Sequence, residues 1–150
     1  MVIRFELNGR SAAWDVSPGE TLLEALRRHE ITSVKHGCDT ASCGTCTVLL
    51  DGKPVPSCAV PAGRVDGHEL LTVEGVPDVA RRLGEQMAAE GADQCGYCSP
   101  GLVMSVIAMT AELNDPTDAE INAYLAGNMC RCSGYVSQTR AIRKFLEVTS

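Results

Sequence analysis

The sequence predicts an α+β protein in two small halves, strand-rich first and helical second. Three observations carry this. Residues 2–7 alternate polar and apolar side chains, the period of a strand with one buried face. The dipeptides Asn8-Gly9 and Asp51-Gly52 each separate two strand-like runs, as hairpin turns do. After Glu74-Gly75 the apolar residues recur every three or four positions, the spacing of helices.

The elements follow in order. Residues 2–7 and 12–16 form the first hairpin. Ser17-Pro18-Gly19-Glu20 punctuates, and Thr21 with Glu24 three residues on makes a capping box. That box opens a short helix through His29, with Leu22, Leu23, Ala25 and Leu26 on its apolar face. A cysteine-bearing loop runs over residues 37–46. Residues 47–50 and 53–56 form the second hairpin, and Pro54 and Pro56 place its second strand at a sheet edge. Residues 70–73 close the first half as a strand. The second half holds four helices. Residues 78–90 carry Val79, Leu83 and Met87 at a spacing of four. Pro100 starts the next helix, with Leu102, Val103, Val106, Ile107 and Met109 as its apolar positions. Asn114-Asp115-Pro116 stops it. Thr117 caps a third, which runs through Ile121, Tyr124 and Leu125 to Gly127, and residues 136–148 turn Ile142, Phe145 and Leu146 inward. The division is placed at 1–75 and 76–150.

Halves of roughly 70 residues have marginal hydrophobic cores. Aromatic residues make up only 4% of the chain, with a single Trp14, so something other than ring packing must staple each half. The formal charge is −6, and no basic run exceeds Arg27-Arg28 or Arg81-Arg82, which argues against nucleic acid or anionic lipid as a partner. No apolar stretch approaches the roughly 20 residues of a membrane span. The N-terminal residues read as a strand and lack the regions of a signal peptide, so a cytoplasmic protein is expected.

Eight cysteines in such a chain favour metal ligation over disulfides, because the cytosol is reducing. They form two quartets separated by the cysteine-free residues 59–94. The first is Cys38-x4-Cys43-x2-Cys46-x11-Cys58, the plant-type ferredoxin spacing of a 2Fe-2S cluster. Two irons bridged by sulfide need two thiolates each, and a curled loop can wrap them while aiming N–H groups at the sulfurs. Gly37 and Gly44 provide backbone freedom beside the ligands, and Ala41, Ser42 and Thr45 are small enough for close approach. The second quartet is Cys95-x2-Cys98-x31-Cys130-x1-Cys132, with its pairs at helix ends and Arg131 nearby. Spacing alone leaves this site open between a second 2Fe-2S cluster and a tetrathiolate zinc, with disulfides a third alternative.

The run Gly37-Cys38-Asp39-Thr40-Ala41-Ser42-Cys43-Gly44-Thr45-Cys46-Thr47-Val48, with Ser57-Cys58, resembles the ferredoxin-like half of the iron–sulfur subunit of xanthine oxidase-type molybdenum hydroxylases. Gln94-Cys95-Gly96-Tyr97-Cys98-Ser99-Pro100-Gly101 and Asn128-Met129-Cys130-Arg131-Cys132-Ser133-Gly134-Tyr135 resemble its helical half. The match runs in order along nearly the whole chain. It departs at Ala41, where the family often has Gly or Ser, at Thr45, where Ala or Ser is common, and at Ser99, where Thr is common. The resemblance implies a plant-type ferredoxin-like β-grasp domain followed by a four-helix-bundle 2Fe-2S domain. It implies two 2Fe-2S clusters on Cys38, Cys43, Cys46, Cys58, Cys95, Cys98, Cys130 and Cys132. It also implies a large partner subunit carrying the molybdopterin cofactor and a medium subunit carrying FAD. Electrons would pass from the molybdenum centre through both clusters to FAD or another acceptor. By the same resemblance Gln94 hydrogen-bonds the pterin and Cys132 lies nearest to it.

Read without the resemblance, Gln94 is a helix cap. Tyr97 and Tyr135, next to ligands, are expected to shield the clusters from water. His29, His36 and His68 are surface or packing residues, since eight thiolates already complete two clusters. Asp39 carries no catalytic role, no nucleophilic triad or phosphate loop is present, and no catalytic residue is assigned to this chain. Two other functions compete: a free-standing two-cluster ferredoxin, and a zinc-stabilised interaction module.

Overall fold

The computed structural model describes residues 1–149. Strands β1 (Val2–Leu7) and β2 (Arg10–Asp15) pair antiparallel across Asn8 and Gly9, both at positive φ as this tight turn requires. In β1 the alternation holds, with Ile3 and Phe5 buried. Helix α1 (Leu22–Arg28) opens on the capping box of Thr21 and Glu24. Strands β3 (Thr47–Leu50) and β4 (Lys53–Pro56) pair across Asp51-Gly52, and β5 (Glu69–Leu71) completes the sheet. The order is β2-β1-β5-β3-β4, with β1 parallel to β5 and the other pairs antiparallel. The strand with two prolines is at the edge, where missing ladder donors cost least. Helix α1 lays Leu22, Leu23, Ala25 and Leu26 over the sheet against Ile3, Phe5, Val48 and Leu70. This is the expected ferredoxin-like β-grasp.

The closing strand ends earlier than its apolar residues imply. Thr72 leaves the sheet because its N–H is taken by the Asn8 side chain at 2.8 Å, and a 3₁₀ turn over Val73–Gly75 follows. Helices α2 (Pro77–Ala89), α3 (Ser99–Glu112), α4 (Asp118–Tyr124) and α5 (Val136–Thr149) make the second half. Helix α4 is shorter than expected, since Leu125–Gly127 tightens into a 3₁₀ turn.

Helix α3 joins the halves. It is apolar on nearly all sides, with Leu102, Val103, Met104, Val106, Ala108 and Met109 all buried. A helix of that composition needs partners around its whole circumference. One side packs with Leu83, Met87, Ile121, Ile142 and Phe145 of the bundle. The other presents Met104 and Ala108 to Leu49 of β3.

Candidate metal centres

The first cysteine quartet is carried by the loop between α1 and β3, with Cys58 returning from the 3₁₀ turn after β4. The loop is curled by its own polar contacts. The Cys43 N–H donates to Cys38 Sγ at 3.4 Å, and the Thr45 hydroxyl lies 3.2 Å from Cys43 Sγ. Ser57, fully buried, ties the returning turn down by donating to the Cys46 carbonyl at 2.8 Å. As a result Cys46 Sγ and Cys58 Sγ are 3.4 Å apart.

The second quartet comes from two loops, one before α3 and one between α4 and α5. The Tyr97 N–H reaches Cys95 Sγ at 3.5 Å, and the Ser133 N–H reaches Cys130 Sγ at 3.4 Å. The Gln94 amide donates to the Cys132 carbonyl at 3.1 Å, bridging the loops. Gln94 therefore caps no helix. Tyr97 and Tyr135 are about half exposed in the chain, and their hydroxyls tie backbone segments together. The Tyr97 hydroxyl donates to the His36 carbonyl at 2.7 Å, and the Tyr135 hydroxyl accepts from the Cys130 N–H at 3.1 Å.

The thiols within each quartet meet in pairs. Cys38 faces Cys43 and Cys46 faces Cys58 in the first. Cys95 faces Cys132 and Cys98 faces Cys130 in the second, so each of those pairs takes one thiol from either loop. Two pairs are what a binuclear cluster requires, two thiolates to each iron. Hydrogen bonds and burial shift the thiols within each quartet unequally. The N–H groups of Cys43 and Thr40 hold Cys38 down at about 6, while burial and the Cys46 thiol push Cys58 up to about 11. Burial, then the Cys130 thiol, pushes Cys98 up to about 12. Burial also raises Cys130, but hydrogen bonds from Ser133, the Cys132 N–H and the Cys98 thiol together outweigh it and leave that thiol below its ordinary value. A bound cation inverts this logic and lets all the thiols ionise.

Residues 5–72 match the family model described as a 2Fe-2S iron-sulfur cluster binding domain, and residues 72–143 match the one described as a [2Fe-2S] binding domain. The chain is 40% identical to the nicotinate dehydrogenase small FeS subunit of Eubacterium barkeri, over 98% of this chain and 96% of that one. It is 40% identical to the xanthine dehydrogenase iron-sulfur-binding subunit of Escherichia coli O157:H7, over 90% and 87%. The chain belongs to the small iron–sulfur subunits of the molybdenum hydroxylases. Among solved structures, quinoline 2-oxidoreductase from Pseudomonas putida 86 superposes with a TM-score of 0.89 at 34% identity, covering 95% of this subunit and 90% of that chain.

In this iron–sulfur subunit the two candidate centres are neighbours. The Met129 N–H donates to the Cys43 carbonyl at 2.9 Å, and the Asn128 side chain donates to the Gly44 carbonyl at 3.3 Å. Gly44 and Gly101 permit this approach. A Cβ on Gly44 would lie 2.2 Å from the Gly127 carbonyl, and one on Gly101 would lie 2.4 Å from the Gly44 carbonyl. The three histidines stand apart from both quartets' thiols in their contacts: His29 stacks on Trp14, His36 pairs with Asp39, and His68 pairs with Asp51.

The sequence alone missed the inter-loop bonds of Asn128 and Met129, which no local pattern announces. It also passed over Gln138, whose Nε2 is 3.9 Å from Cys98 Sγ. Its signal was present: a polar residue three and four positions before Ala141 and Ile142, on the buried stripe of α5.

Proposed function

We propose that this chain is the electron-transfer subunit of a multi-subunit molybdenum hydroxylase, relaying electrons from a molybdopterin centre on a large partner subunit to FAD or another acceptor. The catalytic centre is on the partner. The paired thiols carry this reading: two quartets, each sorted two and two, on loops joined by one backbone hydrogen bond. Cys38, Cys43, Cys46 and Cys58 hold one 2Fe-2S cluster, and Cys95, Cys98, Cys130 and Cys132 hold the other. Bound there, the clusters supply two adjacent one-electron centres. The protein's own part is to curl the loops, aim N–H groups at sulfur and exclude water from Cys43 and Cys46, both buried.

We assign Gln94 and Cys132 to the pterin side. Both are exposed, and the Gln94 side chain is hydrogen-bonded to the Cys132 carbonyl. A free ferredoxin would have no use for this second, partner-facing half. We divide the chain at 75/76, where the 3₁₀ turn hands over to α2. A medium subunit carrying FAD and a cytoplasmic location complete the reading; among the described residues no helix is long and apolar enough to cross a membrane.

Anaerobic purification from the native host tests this. About four irons and four acid-labile sulfides per chain are expected, with a molybdenum subunit co-purifying. Colourless protein holding zinc, or a lone chain without a partner, refutes it.

A further inference from the structure

The reading above gives the buried side chain of Gln138 no task. Gln138 is 5% exposed, on the stripe of α5 that carries the fully buried Ala141 and Ile142. A buried amide needs hydrogen-bonding partners, or it costs about 1–3 kcal/mol per unsatisfied group. Its Nε2 faces Cys98 Sγ at 3.9 Å, a separation that the large radius of sulfur allows.

Granting the two-cluster reading, we propose that Gln138 is a tuning residue. Its amide N–H donates to the Cys98 sulfur and raises the reduction potential of the helical-half cluster.

Reduction adds one negative charge to a 2Fe-2S cluster, and part of that charge resides on its sulfurs. A donor aimed at sulfur stabilises the reduced form more than the oxidised one. The effect is largest where water is excluded. Cys95 receives its donor from the Tyr97 backbone, and Cys130 receives both the N–H and the hydroxyl of Ser133, all on the ligand loops themselves. At Cys98 the donor belongs to a side chain, so a substitution can remove it without touching either ligand loop.

The test is a redox titration of the purified holoenzyme followed by EPR, with the helical-half signal identified by its loss in Cys130→Ala. In Gln138→Leu that signal's midpoint is expected to move to a more negative potential, while the plant-type midpoint and the iron content stay unchanged. Gln138→Met, unbranched and also without a donor, should move it the same way and serves if the leucine variant loads poorly. An unmoved helical midpoint, or equal movement of both signals, overturns the proposal. A measurement on unaltered protein needs no variant at this position. With side-chain ¹⁵N-glutamine, pulsed EPR should show a ¹⁵N coupling to the helical signal that persists in Gln94→Ala. Its absence overturns the proposal too. Native holoenzyme lacking two such signals would instead defeat the two-cluster reading itself.

Discussion

The backbone N–H of Met129 donates to the carbonyl of Cys43 at 2.9 Å, linking the residue before Cys130 to a cysteine of the other quartet. A backbone bond of this kind fixes the distance between the two loops without depending on any side chain. What keeps it short is the absence of side chains at Gly44 and Gly101.

Gly101→Ala should therefore push the halves apart. Alanine gains up to about 1 kcal/mol of helix propensity over glycine. Against this, its Cβ would lie 2.4 Å from the Gly44 carbonyl, and backbone cannot rotate aside. Overpacking of this sort costs about 1–3 kcal/mol, so the clash wins. A lower melting temperature and weaker magnetic interaction between the two reduced EPR signals are expected.

Cys98→Ala should remove one cluster and spare the other. Iron should fall from about four to about two per chain, and one of two EPR signals should vanish. Loss of both signals would contradict two separately housed sites.

Thr45→Val keeps the shape of the side chain and removes a hydroxyl 3.2 Å from Cys43 Sγ. The hydroxyl also reaches the Lys35 carbonyl at 3.4 Å, but once Cys43 is a thiolate it is the only member of the Cys43–Thr45 pair that can donate, so its loss should move the plant-type midpoint to a more negative potential. The helical-half midpoint should not move.

Gln94→Ala removes the amide bridge to the Cys132 carbonyl. Both clusters should remain, while turnover by the assembled enzyme falls. Unchanged turnover would remove Gln94 from the partner-facing role.

The capping box of α4 predicts an acid dependence. The Thr117 N–H, then the Thr117 hydroxyl, hold the Glu120 carboxyl below its ordinary value of 4.5. A depressed folded pKa gives stability that is full above the unfolded value and is lost as pH falls through the folded one. Glu120→Gln should therefore melt below the native protein near neutral pH, and the gap should close as pH drops below 4.5. Thermal melts followed by circular dichroism across that range measure it.

Local signals reached the sequence reading and long-range ones did not. Thr21 with Glu24 and Thr117 with Glu120 are capping boxes spelled out over four residues, and both form. Asn8-Gly9 and Asp51-Gly52 encode their turns in the same way. The cysteine spacings divide the eight thiols into two quartets, and the fold gathers each quartet in one place. The end of β5 escaped because it is decided by Asn8, 64 residues away from Thr72. The two-and-two pairing escaped for the same reason, since Cys95 meets Cys132 only after helices α3 and α4 have folded between the loops. The hydroxyl bonds of Tyr97 to the His36 carbonyl and of Tyr135 to the Cys130 N–H are further contacts that adjacency to a cysteine does not announce.

Helix α3 has a consequence for biosynthesis. The sheet leaves the ribosome first, with Leu49 covered only in part, by Leu71 and Val73. The remaining cover, Met104 and Ala108, is translated 55 and 59 residues afterwards. Until they arrive, a nascent chain offers a sticky patch to chaperones. A fragment cut at the middle would keep that patch for good, so the ferredoxin-like half is poorly suited to life as an independent protein.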